Sequence, residues 1–541
     1  MASKRLSPLV RMLLGLVPAM AVGLISLGVP FGRDQGVAAY GARVIARGGV
    51  IYQDLFYFNL PAHFFVYRLA MILPLDPVPA VNLMGLLLIM ATALIIYGAG
   101  RRLQPGGDGA IAAMVYAWFM VIFHHRYWEI AQKESLASLP LALSIYALVT
   151  LTGEVKDGTA PFGKRALLSA GLCGLGAGFA AQFKPTLGIV ILCLLYPAWL
   201  GRRNRTWSLS LIMAGAAAFI GSFIPLLVYL IRHDAMTTMI ESVFKFGGFY
   251  GELGYTAEPG KTLFKAILFL LRLLIGRFFM VGAATVGLIA LRRERTARAL
   301  LIAVLLLLFQ AMVQMKFFTY HMTPLLIPLS LLAQAGIVTM AEKLKHAGQS
   351  GSSRWRPILL RPGLLWVPIM VLNLAPVSSR YGKELYYSLG RIDRKSFLST
   401  YTHFGGGISQ LDSEQLAEYI RSRCPPNRKV LMFGLEPGLY VMSQRDPPTR
   451  FAYDLPLSID HRGDPEFTAY RARLRAQFMR EITRDQPEYI IVNEMDRNPT
   501  EREDSFTQMN SFPELKRFVE SQYHLETKFG YYQVYRQIEW R

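Results

Sequence analysis

The sequence predicts a polytopic α-helical membrane protein that carries a soluble α/β domain at its C-terminal end. Of its 541 residues, 52% are hydrophobic and only 18% are charged, whereas a soluble protein usually has about 25% charged residues. Apolar runs of about twenty residues, the length of a spanning helix, recur up to residue 375 and then stop. Beyond that point, short apolar segments alternate with amphipathic ones, as is typical of an α/β domain.

The apolar runs predict about eleven spans, because a backbone in a bilayer must satisfy its own hydrogen bonds. We expect them at 9–30, 79–100, 109–124, 135–152, 166–182, 186–200, 207–231, 270–291, 299–315, 321–341 and 357–375. Basic residues recur after every second span, from Lys4 and Arg5 to Lys343 and Lys345. By the positive-inside rule, this alternation predicts a cytoplasmic N-terminus and an external C-terminal domain. Ala19-Met20-Ala21 resembles a cleavage site, but the apolar run continues to Val29, which favours an uncleaved first span.

The formal net charge of +21 allows two interpretations. Nucleic-acid binding is one, but much of the excess lies in short loops between spans, where the positive-inside rule accounts for it. We therefore expect membrane lipid, and no nucleic acid, as a partner. The three cysteines, Cys173, Cys193 and Cys424, provide neither a disulfide framework nor a zinc-binding spacing.

The first external loop, 31–78, is expected to be structured. Residues 35–45 predict a small-residue helix that ends at the glycines of ARGGV, and Asp34 is placed to cap its N-terminus. Residues 56–73 are apolar and aromatic and predict helices in the membrane interface. Asp34 also has a functional interpretation. An ionisable residue at a membrane face is costly, and a carboxylate there can act as a general base toward a hydroxyl group.

Other polar residues near this face are candidates with alternatives that the sequence leaves open. Asp54 can bind a sugar hydroxyl or be a turn residue, and His63 can bind substrate or be an interface histidine. Cations recur at external span ends, at Arg126, Lys184, Arg272, Arg277 and Lys316. Each alone can snorkel to lipid headgroups, whereas several that converge would suit a lipid phosphate. Glu134 can bridge to Arg126 or be a favourable charge at a helix start.

We expect residues 1–375 to form the transmembrane domain and residues 376–541 the soluble domain. Strands are predicted at 429–434, 488–494 and 531–537, with another possible at 449–457, and helices at 413–424 and 465–485. The glycines of FGLEPGLY do not have a nucleotide-binding spacing, so we expect no nucleotide cofactor.

Taken together, these features resemble the GT-C membrane glycosyltransferases. The matching residues are Asp34 after the first span, then Tyr52, Asp54, Leu55, Phe56, Asn59 and Pro61. Later, QFKPT, KFFTYHMTPLLIPL and PTRFAYDLPL are similar to segments of the family. The similarity covers roughly residues 10–340 and is greatest to bacterial relatives of the protein O-mannosyltransferases and of the lipid A aminoarabinose transferase. Position 35 is Gln35 and not the glutamate of many members, which leaves dependence on a divalent metal open.

The resemblance implies an inverting transferase that moves a sugar from a polyprenyl-phosphate donor to an acceptor hydroxyl, on the periplasmic face of a bacterial inner membrane. The acceptor would be a lipid, a polysaccharide or a protein, and no cofactor is expected. Asp34 would be the general base, and Lys184, Arg277 and Lys316 would bind the donor phosphate. Substrate would be bound by Asp54, Asn59, His63, Arg126, Glu134, Tyr320 and His321. Tyr320 and His321 also fit plain anchoring in the aromatic belt of the membrane.

Other classes of function remain as alternatives. A transporter or flippase for lipid-linked saccharides usually has internal repeats and charges at the membrane midplane, and the sequence has no evident repeat. An O-antigen-ligase-like enzyme would typically depend on a large late external loop, whereas the carboxylates here lie in an early one. A structural assembly protein would use the C-terminal domain as its docking element.

Overall fold

The computed structural model describes residues 7–103, 108–123, 127–155, 163–252, 259–347, 371, 378–402, 408–459, 464–497 and 503–538. Within these ranges, seven helical segments are long and apolar enough to cross a membrane. They are Pro8–Ile25, Pro77–Leu103, Lys133–Glu154, Lys164–Phe183, Arg205–Arg232, Arg295–Val313 and Thr319–Leu344. The predicted class of polytopic helical membrane protein is therefore confirmed.

Three further apolar segments correspond to the remaining predicted spans that the structure describes. Leu263–Gly276 and Phe278–Ala290 form one pair that is bent by 85°. Ala110–Ile122 and Pro185–Leu200 are apolar but shorter than the others. The predicted eleventh span, 357–375, lies outside the described residues, apart from residue 371.

The membrane helices pack on one another through small residues and turn large apolar side chains outward. A Cβ atom on Gly336 would lie 1.8 Å from the carbonyl oxygen of Ala283, so the backbones of two helices touch there. On the outside, the exposed fractions of Leu168, Ile220 and Ile275 are 70%, 67% and 74%, as suits a surface that faces lipid. The helices of this part are Pro8–Ile25, Arg33–Ala46, Ala62–Ala70, Pro77–Leu103, Ala110–Phe123, Lys133–Leu136, Ser138–Glu154, Lys164–Phe183, Leu195–Leu200, Arg205–Gly221, Ile224–Arg232, Met236–Met239, Gly247–Glu252, Pro259–Gly276, Phe278–Ala290, Arg295–Val313 and Leu326–Ala347. Tighter 3₁₀ turns occupy Tyr127–Glu129, Pro185–Leu194 and Thr319–Leu325, and a π-helical turn occupies Ile240–Phe246.

The C-terminal region contains a four-stranded sheet with helices packed around it. Its strands are β1 (Val430–Phe433), β2 (Tyr489–Asn493), β3 (Tyr523–Phe529) and β4 (Tyr532–Gln537), in the spatial order β1-β2-β4-β3. β1 and β2 are parallel, with Val430 opposite Tyr489, and the other two pairings are antiparallel. The helices are Ser378–Ser388, Arg394–Leu398, Gln410–Arg423, Gly438–Ser443, Leu455–Ser458, Pro465–Arg484, Ser505–Asn510 and Pro513–Gln522. A single cluster of buried apolar side chains extends from Met12 in the first span to Val534 in β4.

The structure corrects several local predictions. The helix predicted at 35–45 begins at Arg33 with Gly32 as its N-cap residue, so Asp34 lies inside the first turn and is not the cap. The segment 449–457 is not a strand: it is irregular up to Asp454 and then enters the short helix Leu455–Ser458. The carbonyl oxygen of Arg450 accepts a hydrogen bond from the backbone N–H of Phe56. Within 56–73, the one helix is Ala62–Ala70.

Candidate active site

A cavity of about 580 Å³ lies where the membrane helices, the segments that connect them and the C-terminal region meet. Many of the residues that the sequence marks as candidates line it. They are Asp34, Asn59, His63, Lys184, Lys316, Tyr320 and His321. The structure thus brings together side chains that are almost 290 positions apart in the chain.

Asp34 presents an exposed carboxylate to this cavity from the first turn of helix Arg33–Ala46. The amide nitrogen Nε2 of Gln132 donates a hydrogen bond to Asp34 Oδ2 at 3.1 Å and another to the carbonyl oxygen of Trp128 at 2.7 Å. Gln35 Nε2 also donates to Trp128, at 2.7 Å. The segment before Lys133 therefore fixes both the carboxylate and the start of the helix that carries it.

A buried ion pair lies beside the cavity. Lys184 Nζ is 2.5 Å from Glu134 Oε1, and the exposed fractions of the two side chains are 8% and 0%. His321 Nε2 is 3.8 Å from the same carboxylate oxygen. Burial lowers the pKa of Lys184 to about 8, with Glu134 acting in the opposite direction. Glu134 thus pairs with Lys184, whereas the predicted alternative partner, Arg126, lies outside the described residues.

Lys316 supplies a second ammonium group to the cavity. Its Nζ donates a hydrogen bond to the carbonyl oxygen of Tyr250 at 3.1 Å and lies 4.2 Å from the centre of the Tyr250 ring. Burial lowers the pKa of Lys316 to about 8. Because the carbonyl and the ring are neutral, the charge of Lys316 can act on an anion that enters the cavity.

Aromatic rings form much of the remaining wall. Tyr57, Tyr67, Tyr320 and Tyr453 line the cavity, together with Phe318. Burial raises the pKa of Tyr57, Tyr67 and Tyr453 well above its usual value, so their hydroxyls remain neutral. Burial likewise lowers the pKa of His63, which keeps its ring uncharged at neutral pH.

Three of the predicted site residues that the structure describes do not line the cavity: Glu134, which pairs with Lys184 beside it, Asp54 and Arg277. Asp54 Oδ2 accepts a hydrogen bond from the backbone N–H of Val50 at 2.7 Å, which is the bond of a turn. Arg277 is only 1% exposed and lies at the bend between Pro259–Gly276 and Phe278–Ala290. Among the described residues, no group of three or more His, Cys, Asp and Glu side chains is arranged to hold a metal ion.

Several lining residues escaped the sequence analysis. Arg33, Gln132 and Lys133 stand next to predicted residues in the chain, and this adjacency was the available signal. Leu435, Tyr453 and Leu455 come from the C-terminal region. Tyr453 belongs to the PTRFAYDLPL segment, and its hydroxyl donates a hydrogen bond to the carbonyl oxygen of Phe56 at 3.1 Å.

Comparison with solved structures identifies proteins whose fold is similar to that of this chain. The chain is similar to ArnT from Cupriavidus metallidurans in the apo state, with a TM-score of 0.55, 15% identity and coverage of 97% of both chains. An oligosaccharyltransferase from Archaeoglobus fulgidus in complex with zinc and sulfate gives a TM-score of 0.48 at 11% identity, over 88% of this chain and 68% of that one. AglB from the same organism, with an inhibitory peptide and a dolichol-phosphate, gives 0.49 at 10% identity, over 98% and 74%. No protein-family model matches the sequence, and no curated protein matches it.

We base the fold assignment on the ArnT structure, whose TM-score exceeds 0.5. The chain is a polytopic membrane protein with a GT-C-like fold, as the sequence resemblance predicted.

Proposed function

We propose that the protein is a membrane glycosyltransferase that moves a sugar from a polyprenyl-phosphate donor to an acceptor hydroxyl group. One observation carries the proposal: the exposed carboxylate of Asp34 and the ammonium groups of Lys184 and Lys316 line the same aromatic-walled cavity. A carboxylate can accept a proton, and preorganised cations can stabilise the charge of a leaving phosphate. The GT-C-like fold and the sequence resemblance support the same activity.

In the proposed reaction, Asp34 accepts the proton of the acceptor hydroxyl as the hydroxyl oxygen attacks the anomeric carbon of the sugar. The bond between that carbon and the phosphate oxygen breaks on the opposite side, so the anomeric configuration inverts. Polyprenyl phosphate leaves with the bonding electrons. Lys184 and Lys316 stabilise its growing negative charge, and Gln132 orients the base through the bond to Asp34 Oδ2.

The other cavity residues would hold the sugar and the acceptor. Tyr57 and Tyr320 offer ring faces to the apolar side of a sugar ring. Asn59, His63 and His321 offer polar atoms to its hydroxyls. Asp54 and Arg277 have no place in this mechanism, because they do not line the cavity. We place the reaction on the periplasmic face of a bacterial inner membrane, with a lipid, a polysaccharide or a protein as acceptor.

The test is sugar transfer by the purified full chain in liposomes. Radiolabelled polyprenyl-phosphate sugars would be supplied as donors, with a membrane extract as acceptor. We expect Asp34→Asn to lower kcat by roughly 100-fold to 10,000-fold, the range typical of a lost general base. Asp54→Asn is the matched control, because it makes the same chemical change in the same loop but outside the cavity.

Each alternative predicts a different result. Equal transfer by wild type and Asp34→Asn would remove Asp34 as the base. Absence of transfer with every donor, together with movement of a lipid-linked sugar between leaflets, would replace the transferase by a transporter.

A further inference from the structure

One face of helix Arg33–Ala46 is docked along its whole length on the C-terminal region. The docked positions are 33, 36, 40, 43 and 47, whose spacing of three and four residues places them on one side of a helix. Asp34, Val37 and Ala38 line the cavity from the same helix. The helix that carries the proposed base is therefore held between the cavity and the soluble region.

The middle of this docked face is a close backbone contact. A Cβ atom on Gly36 would lie 2.7 Å from the backbone nitrogen of Gly438, so no side chain fits between these two segments of the backbone. One turn later, the rings of Tyr40 and Tyr440 pack with their centres 5.1 Å apart. Such contacts leave the helix little room to slide or rotate.

Ion pairs stand at both ends of the docked face. Arg43 Nε lies 3.3 Å from Asp446 Oδ1, and Arg47 contacts the same carboxylate. At the other end, Arg33 Nε lies 2.8 Å from Glu436 Oε1, and the exposed fractions of these two side chains are 15% and 10%. Arg33 itself lines the cavity.

Arg33 lies next to Asp34 at the cavity, and Glu436 pairs with Arg33 there. Arg33 lines the same cavity as Asp34, Lys184 and Lys316, so its long side chain, once released from Glu436, would have both the Asp34 carboxylate and the donor phosphate as partners. An Arg–carboxylate pair is a strong hydrogen-bonded contact and would block Asp34 from accepting a proton. Glu436 engages Arg33 from the side of the C-terminal region.

We propose that Glu436 is a positioning residue, which holds Arg33 away from Asp34 and so keeps the base available to the acceptor hydroxyl. This inference rests on the proposed transferase function. It gives the soluble region a part in the reaction: Leu435, Tyr453 and Leu455 form one wall of the cavity, and Glu436 keeps the adjacent base in its working arrangement.

The test compares three variants in the liposome transfer assay. For Glu436→Gln we expect kcat to fall by roughly tenfold to a hundredfold, the effect of a misplaced reacting group. The donor KM should change little. The double variant Arg33→Gln/Glu436→Gln should recover kcat to within about threefold of wild type, since it also removes the guanidinium that competes for Asp34. Glu488→Gln is the control, because Glu488 pairs with Arg428 at 3.0 Å in the same region and does not line the cavity.

A fourth variant, Arg33→Gln alone, separates positioning from a purely structural role. It breaks the same ion pair but removes the guanidinium that would compete for Asp34, so it should lower kcat much less than Glu436→Gln does, even where both lower the melting temperature. If Glu436 only stabilised the fold, the two single variants would lower kcat alike, and that result would overturn the proposal. A change confined to KM would overturn it too, because it would assign Arg33 to donor binding. If Asp34→Asn abolishes transfer while Glu436→Gln has normal kcat, the positioning role fails and the proposed function stands. If Asp34→Asn transfers normally, the proposed base itself fails.

Discussion

Raising the pH should weaken phosphate binding through Lys316. An ammonium group is charged below its pKa and neutral above it, and burial lowers the pKa of Lys316 to about 8. Its charged fraction therefore falls from about 90% near pH 7 to about 10% near pH 9. A lipid phosphate remains mostly dianionic over this range, because its second pKa is about 6. If binding needs the charged lysine, affinity should fall about tenfold between these two pH values.

The assay is the affinity of polyprenyl phosphate for the purified protein in nanodiscs, measured at both pH values. Lys316→Arg should lose much less affinity than wild type as the pH rises, because a guanidinium stays charged. Lys184 also has a pKa of about 8, so a part of the wild-type effect should persist in this variant. Lys343→Arg is the control, since Lys343 is exposed and does not line the cavity. A wild-type affinity that is independent of pH, or a loss in Lys316→Arg that is as large as the loss in wild type, would refute the reasoning.

Two further predictions concern stability, measured as the melting temperature of the purified protein in detergent. Lys184→Met and Glu134→Gln should each lower the free energy of unfolding by roughly 3–5 kcal/mol, because each leaves a buried partner uncompensated. The double variant should lose less than the sum of the two single losses. A loss in the double variant equal to the sum of the two single losses would show that Lys184 and Glu134 do not stabilise each other. Gly36→Ala should lower the melting temperature, because its Cβ would meet the backbone of Gly438 at 2.7 Å. Gly221→Ala is the matched change, since a Cβ there meets nothing within 4 Å, and equal losses in both variants would refute the argument.

In the C-terminal region, the sequence predicted the elements that their own run of residues is enough to identify. β1 and β2 are fully buried and, apart from Asn493 at the end of β2, consist of short apolar runs. β3 was missed because it pairs on one side only and exposes His524 and Leu525, so it lacks the pattern of a buried strand. The segment 449–457 has the residue pattern of a strand, but the carbonyl oxygen of Arg450 accepts its hydrogen bond from Phe56, almost 400 residues earlier in the chain. No local pattern reveals such a partner.

The same distinction explains which parts of the candidate site were predictable. Asp34, Lys184 and Lys316 stand at the ends of apolar segments, where a charge is conspicuous. Asp54 is equally conspicuous in the sequence, but its carboxylate accepts a hydrogen bond from the backbone N–H of Val50 in its own turn. The wall supplied by Leu435, Tyr453 and Leu455 could not be predicted, because it depends on contacts between distant parts of the chain.

The ion pair between Arg33 and Glu436 joins residues that are 403 positions apart, and this distance has a consequence for biosynthesis. Contacts so remote in sequence form late in folding, because the intervening chain must first be brought together. A ribosome makes helix Arg33–Ala46 long before it makes Gly438, so the docked face of that helix waits without its partner through most of translation. The cavity acquires its last wall when the C-terminal region folds onto the finished membrane bundle. The site therefore needs the C-terminal region to be made and docked before all of its walls are present.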